Sequence, residues 1–397
     1  MEGQEKGVQA WGEDIYPELS WFEIDKVRQA KVMVVGCGAL GNEVLKNLAL
    51  FGVEHIVAVD FDRVEPGNLT RSILFSQTDA LAGRSKVEAV AERLRQINPA
   101  VVVAPIEGDI AYEVGLGLIG GMNVIIGCVD NRLARYHLNR LCMRAGVPWI
   151  DGGMEGLEGT VRVFVPGKNC YACNLGTEGL KELSRRTSCA ELIRRYEENG
   201  KAATTPVVAS VIGAVQVQEA MKLLHRDKLD RGELTSLCGK MFYYEGQHLS
   251  SRIVGFTGYD DDCPVHEPWT PIVKSDLRAE MTIRETLDSL AELLEAERVD
   301  ICLRDYSFVD YVAERANDRK TDVMLPDYKV SRFVEDHPVL RFMPYGELYQ
   351  HEYSTLGADF PYQTLTLRET GIPEWDVLHV RTEKGVRYVE TLKTVII

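Results

Sequence analysis

No stretch of the chain approaches the roughly 18 consecutive apolar residues that a membrane-spanning helix needs. The first ten residues are polar and hold no apolar core of a secretory signal, so a cytoplasmic protein is expected. Basic residues are in deficit: 45 Lys and Arg stand against 60 Asp and Glu, a net charge of −15. A phosphate-backbone partner needs a basic face, so nucleic acid is excluded, although a local basic pocket for a small polyphosphate is not. No internal repeat or low-complexity segment interrupts the chain. The nine cysteines are an odd number in a chain of 397 residues, which argues against a disulfide framework. In a reducing compartment those thiols are left with metal binding, catalysis or burial.

What the chain does hold is an alternation of apolar strands and amphipathic helices. Residues 31–36 (KVMVVG) read as a strand, and 41–51 as a helix with Val44, Leu45, Leu48 and Phe51 on one side. A second strand is expected over 53–60, a second helix over 84–97, further strands over 101–103 and 124–129, and a helix over 132–145. Continuous apolar strands separated by helices predict an α/β fold, a Rossmann-like and mostly parallel sheet covered on both faces. Beyond Trp149 the pattern changes. Residues 159–165 (GTVRVFV) alternate like an antiparallel strand, 174–205 are polar and rich in Arg and Glu, and 206–224 form a long apolar helix opened by Pro206. Near residue 267 a smaller α+β region begins. There Thr282 and Glu285 make a capping box ahead of a helix with Ile283, Leu287, Leu290 and Leu294 on one face. Residues 299–303 read as a strand, and 377–381 with 386–390 as a hairpin. The expected division is an N-terminal extension (1–27), a first domain (28–268, with an excursion at 174–205) and a C-terminal domain (269–397).

The first chemical signal is Gly36-Cys37-Gly38-Ala39-Leu40-Gly41, a GxGxxG that follows a strand and opens a helix. Glycines let the backbone approach phosphates, and the helix N-terminus favours an anion. Asp60, 19 residues past Gly41, ends the second strand where a carboxylate can take ribose hydroxyls. These features alone suit an NAD-dependent oxidoreductase. The residues that follow change the reading: Asp62, then Asn68 and Arg71, then Lys86, then Asp130-Asn131 at the end of a strand. A triphosphate wants fixed cations, which Arg71 and Lys86 supply, and Mg2+, which Asp130 can hold through oxygen.

With GCGALG, VDFD, NLTR, GRSK and CVDNRLARYHLNRLC in this order, residues 28–266 resemble the adenylation domain of ubiquitin-activating enzymes and of the bacterial ThiF and MoeB proteins. The resemblance implies a site for ATP·Mg2+ and for the C-terminal glycine carboxylate of a carrier protein. By position, Asp60 would bind ribose, Asn68, Arg71 and Lys86 would contact phosphates, and Asp130 would coordinate Mg2+. Two departures stand out. Ser72 replaces the glutamine that usually follows the NLxR arginine, and the N-terminal Arg-Tyr-x-Arg-Gln segment of bacterial relatives is missing, Arg28 lying too late to replace it.

Cys170-Tyr171-Ala172-Cys173 and Cys263-Pro264-Val265-His266 offer four soft ligands, the set that tetrahedral structural Zn2+ takes. The family carries CxxC twice at corresponding places, so His266 would be a variant fourth ligand. Cys189 follows Thr187 and Ser188, which can cap a helix beginning there. A helix N-terminus and the four arginines Arg185, Arg186, Arg194 and Arg195 would lower a thiol pKa. By the resemblance, Cys189 would be the nucleophile that takes the acyl group as a thioester, although Ala190 stands where thioester-forming relatives usually have Thr.

The Leu367-x-Glu369-x-Gly371-Ile372 stretch is similar to the end of the ubiquitin-fold domain of eukaryotic activating enzymes, in layout closest to the catalytic subunit of the NEDD8-activating enzyme. That domain would recruit a conjugating enzyme, while residues 310–360 would be an insertion. The expectation is ATP-dependent activation of a ubiquitin-like protein by a prokaryotic-type homodimer, with transfer through Cys189. The alternative is sulfur-carrier activation for cofactor synthesis without a thioester. An NAD enzyme and a non-catalytic scaffold are the readings from other classes.

Overall fold

The computed structural model describes residues 18–176, 179, 204–256 and 258–393. Cys189 and its arginines lie outside the described residues.

The strands β1 (Lys31–Val35), β2 (His55–Val59), β3 (Val102–Ile106), β4 (Val124–Gly127), β5 (Trp149–Glu155), β6 (Glu158–Phe164), β7 (Lys240–Glu245) and β8 (Ser250–Gly255) form one sheet, in the order β3-β2-β1-β4-β5-β6-β7-β8. The sheet is parallel from β3 through β5 and antiparallel from there to β8. Val32 to Val35 and Ile56 to Val59 are all buried, as strands sandwiched between two helical layers must be. On one face lie α1 (Ile24–Gln29), α2 (Ala39–Phe51), α3 (Gln77–Ala82) and α4 (Lys86–Ile97). On the other lie α5 (Leu116–Gly120) and α6 (Arg132–Ala145). Val44, Leu48, Leu94 and Ile212 fill the first interface; Ile119, Leu138, Leu141 and Trp149 fill the second.

The helix α7 (Pro206–Leu224) is long and apolar enough, by length and composition, to cross a membrane. Here it belongs to the core instead, with Val208, Ile212, Val217 and Met221 packed among residues of β5, β6 and α2. Its C-terminal His225 holds the N-terminal segment. Met221 O lies 2.7 Å from His225 Nδ1, and Glu23 N–H donates to Nε2 over 2.8 Å. Phe22 and Val27 are buried beside it, so the chain from Phe22 onward is part of the same core. A short helix, α8 (Arg226–Asp230), follows.

The remaining chain adds β9 (Ile272–Lys274), α9 (Ile283–Leu294), β10 (Val299–Cys302), β11 (Phe308–Glu314), β12 (Lys320–Pro326), α10 (Asp327–Asp336), β13 (Leu348–Tyr353), β14 (Thr355–Leu356), β15 (Val377–Thr382) and β16 (Gly385–Glu390). A five-stranded sheet of order β14-β10-β15-β16-β9 packs on α9 around Ile283, Leu290, Ile301, Val380 and Val389. The capping box at α9 is formed: Thr282 Oγ1 accepts from Glu285 N–H, and Glu285 Oε2 from Thr282 N–H. The insertion makes its own three-stranded sheet, β12-β11-β13, with a small core of Val309, Val312, Val330 and Val334.

The two parts meet through buried groups. Arg304 pairs with Asp376 at 3.0 Å and donates to Val114 O at 3.1 Å, while Leu116 N–H donates to Asp376 Oδ1 at 2.6 Å. The Trp375 ring lies so close to α5 that a Cβ on Gly117 would sit 2.5 Å from it.

Candidate functional site

Strand order sets the location. The chain leaves β1 toward β2 on one side, while β4 pairs on the other, so a crevice opens at the carboxyl ends of β1 and β4. Gly36 follows β1, Asp60 follows β2 and Asp130 follows β4. Residues far apart in sequence therefore share one edge of the sheet.

The three glycines of the turn are not equivalent. Gly36 has φ +93°, and a Cβ there would meet Cys128 O at 2.5 Å. A Cβ on Gly41 would fall 1.9 Å from Gly36 O, so this glycine lets α2 approach the turn. A Cβ on Gly38 would meet nothing within 4 Å. Ala39 and Leu40, buried in the first turn of α2, complete the motif. Gly38 is thus the place where the backbone borders open space, at the N-terminus of a 13-residue helix. Among the described residues the N–H groups of Gly38 and Ala39 have no hydrogen-bond partner.

Asp60 is buried and accepts two backbone N–H bonds, from Cys37 at 2.6 Å and Asp62 at 2.8 Å. A carboxylate has lone pairs to spare for a further donor. Burial raises its pKa above the ordinary value, against the opposing pull of Lys86. Lys86, the first residue of α4, is buried too, and its Nζ reaches Asp62 Oδ2 at 2.6 Å. Burial works against its charge, but Asp60 and Asp62 outweigh that and raise its pKa. Lys86 is therefore a fixed cation. Asn68 is buried in a short turn, where its Oδ1 accepts from Glu65 N–H. Arg71 is half-buried and makes no ion pair among the described residues. Asp130 is exposed, and Asn131 caps α6 by accepting from Ala134 N–H at 2.8 Å. The hydroxyls of Ser72 and Ser85, beside Arg71 and Lys86 in sequence, are buried without a partner among the described residues. Arg28 is engaged elsewhere, with Glu54 and Asp25. Open space at Gly38, unengaged N–H groups and a buried cation are what a polyphosphate would satisfy.

Several residues of this region carry no sequence motif. Asn42 is fully buried; its Nδ2 donates to Cys37 O and Gly38 O, and its Oδ1 accepts from Leu74 N–H. Asp151 is fully buried between Arg135 (2.9 Å) and Arg162 (2.9 Å). Burial alone would raise the Asp151 pKa, but the two guanidinium groups hold it below the ordinary value. Arg135 also donates to Val129 O and Gly152 O, tying α6 to the segment after β4 and to the middle of β5.

Cys170, Cys173, Cys263 and His266 converge, with ligand atoms all within 4.8 Å of one another. Cys170 Sγ lies 3.8 Å from Cys263 Sγ and 3.7 Å from Cys173 Sγ, and Cys173 Sγ lies 3.2 Å from His266 Nε2. Two thiolates on one tetrahedral zinc, at bond lengths of about 2.3 Å, stand about 3.8 Å apart, so the donor set fits that ion. Asn139 of α6 donates to Cys170 Sγ at 3.4 Å while its Oδ1 accepts from Trp149 Nε1 and Tyr171 N–H. Among the described residues Cys37, Cys128, Cys142, Cys238 and Cys302 are free, and Cys37 and Cys142 are fully buried, as packing residues are.

The ThiF family model matches residues 8–265, ending one residue before His266. The chain is 32% identical over 240 residues to the SAMP-activating enzyme E1 of Haloferax volcanii, covering 60% of this chain and 81% of that protein. It is 35% identical over 206 residues to the molybdopterin-synthase adenylyltransferase of Salmonella typhimurium, covering 50% and 75%. Among solved structures, the microcin C7 biosynthetic enzyme MccB in complex with N-formylated MccA matches with a TM-score of 0.50. That alignment has 24% identity over 62% of this chain and 69% of that one, a likeness of fold.

Proposed function

The chain belongs to the ThiF family, and on that premise we propose that it uses ATP to adenylate the C-terminal carboxylate of a ubiquitin-like or sulfur-carrier protein. The observation that carries the reading is the crevice beyond β1, where Gly38 borders open space and buried Lys86 stands among Asp60 and Asp62. The backbone N–H groups of Gly38 and Ala39 receive phosphate oxygens, and Asp60 takes the ribose. Arg71, Lys86 and the side chain of Asn68 neutralise and orient the phosphates. Asp130, next to Asn131, would hold Mg2+, which supplies charge compensation on the phosphate oxygens. A carboxylate oxygen of the carrier attacks the α-phosphorus, the bond to the bridging oxygen breaks, and pyrophosphate leaves with both electrons of that bond. The protein's share of catalysis is positioning and charge neutralisation.

The thiol–imidazole cluster would hold a structural zinc that pins the loop after β6 to the start of the C-terminal region. Such free thiols suit a reducing, cytoplasmic compartment. Beyond adenylation, Cys189 takes the acyl group as a thioester, the C-terminal region receives a conjugating enzyme, and the chain works as a homodimer. The thioester step is supported by the position of Cys189 between the first CxxC and α7, and the docking role by the length of chain beyond the family match. Activation of a sulfur carrier without a thioester is the second reading, favoured by Ala190 where Thr is usual.

ATP–pyrophosphate exchange, measured with small carriers ending in Gly-Gly, tests the proposal. Exchange is expected in the wild type and lost in Asp130→Ala. Exchange by Asp130→Ala at the wild-type rate would sink the assigned site. Cys189→Ala should retain exchange and lose a reductant-sensitive carrier adduct; persistence of that adduct removes Cys189 as the nucleophile.

A further inference from the structure

Asn42 lies outside the GxGxxG motif, yet it touches both halves of the phosphate-facing site. Its Nδ2 donates to Cys37 O at 2.7 Å and Gly38 O at 3.0 Å, and its Oδ1 accepts from Leu74 N–H at 2.8 Å. The side chain is fully buried, and the amide has both donor hydrogens and its acceptor engaged. We propose that Asn42 is a positioning residue that aims the glycine-turn N–H groups at the triphosphate and fixes the Arg71 segment against that turn.

This role rests on ATP being the ligand and follows from peptide geometry. In a trans peptide unit, C=O and N–H point in opposite directions. The Cys37 carbonyl shares its peptide unit with the Gly38 N–H, and the Gly38 carbonyl with the Ala39 N–H. Drawing both carbonyls to the Asn42 amide turns both N–H groups away from it. Gly38 O is held a second time by the helical bond from Asn42 N–H at 2.9 Å. Cys37 N–H points elsewhere, to Asp60 Oδ2. Two consecutive donors are thereby fixed before any ligand arrives, which removes a reorganisation cost from binding. The third bond reaches Leu74, three residues after Arg71, in a segment whose Arg71 N–H donates to Asn68 O at 3.1 Å. One amide therefore spans the anion-binding turn and the cation-bearing loop. No other donor among the described residues reaches Cys37 O.

Asn42→Asp keeps size and shape but sets carboxylate oxygen against the two carbonyls; Asn42→Ser keeps one hydrogen-bonding group and tests the same point with less repulsion. Affinity is measured for ATP·Mg2+ and, by competition, for adenosine, with the melting temperature as a fold control. A displaced phosphate-binding group should raise the ATP dissociation constant roughly tenfold to a hundredfold. Adenosine affinity should stay near the wild-type value. The melting temperature should fall in both variants, more in Asn42→Asp, because a fully buried group loses its hydrogen bonds, so affinities are compared at a temperature where the melting curve shows each variant folded. The carrier KM should be unchanged while the KM for ATP rises. Combining Asn42→Ser with Arg71→Ala should cost less than the product of the single effects, because the two residues act as a unit. Equal losses for ATP and adenosine, or wild-type ATP affinity in both folded variants, would overturn the assignment. Wild-type protein that binds neither ligand overturns the nucleotide reading itself, and the role of Asn42 with it.

Discussion

Three glycines in six residues illustrate how much the site depends on single atoms. Gly36 needs positive φ and has no room for a methyl group, whereas Gly38 has open space around it. Gly36→Ala should therefore destabilise the fold by about 3 kcal/mol through backbone strain and overpacking. Gly38→Ala should leave the melting temperature near the wild-type value and weaken ATP binding, because its methyl group occupies the space a phosphate needs. Calorimetric unfolding and nucleotide titration of both variants check this; an unstable Gly38→Ala protein would contradict it. The motif residues were legible because local chemistry announces them: glycines at a strand–helix turn, and acids at strand ends. Asn42 and Asp151 were not, because their meaning lies in long-range bonds. Asn42 reaches across 32 residues to Leu74, and Asp151 is defined by Arg135 and Arg162 on two other elements.

Among the elements, α6 links the two candidate centres. Asn131, Arg135 and Asn139 recur every four residues and so lie on one face. The first caps the helix beside Asp130, the second holds β4 and β5, and the third donates to Cys170. This stripe places the proposed nucleotide site and the proposed metal site at two positions along one helix. Elemental analysis should find one zinc per chain, lost in Cys263→Ser. At zinc a thousandfold above its dissociation constant, that loss removes ~4 kcal/mol of stability, and chelation of the wild type should lower its melting temperature alike. A metal-free wild type with unchanged stability in chelator would contradict the assignment. The bounds of α6 were readable from its caps, Asn131 and the left-handed Gly146. The strands β7 and β8 were not: β8 is an edge strand exposed along its whole length, so no burial periodicity marks it.

On the scale of the whole molecule, the C-terminal region is fastened to the first domain by buried groups. Arg304 and Asp376 are both buried, so Arg304→Met leaves an unpaired buried carboxylate and should cost about 3–5 kcal/mol. Removing the ring that covers α5, in Trp375→Ala, should cost a similar amount, about 3–5 kcal/mol. Denaturant unfolding measures both. The same junction carries a pH signature. His137 is buried beneath it, and desolvation is the main force pushing its pKa down to about 4, with Asp305 opposing and Arg140, Arg304 and Arg144 assisting. Between the ordinary value near 6.5 and about 4, the unfolded chain binds a proton that the folded chain refuses. His137 should contribute a fall of about 3 kcal/mol as pH drops through that window. Asp327, whose pKa burial raises to about 6, titrates over the same range with the opposite sign, so the share of His137 is read as the difference between the wild-type and His137→Phe profiles; identical profiles would place the sensitivity elsewhere. The parallel half of the fold was legible in apolar strands and capped helices, whereas this junction was not, because sequence pattern says nothing about which surfaces dock.

The central claim is attack on the α-phosphorus of ATP by a protein C-terminal carboxylate. The most direct measurement follows the nucleotide products when the enzyme meets Mg2+, ATP and a carrier ending in Gly-Gly, with the mass of the carrier read in parallel. Pyrophosphate release is expected, with a carrier heavier by one adenylate group, or AMP once that adduct is discharged. Formation of ADP and phosphate in step with carrier modification would mean attack at the γ-phosphorus, and would contradict it.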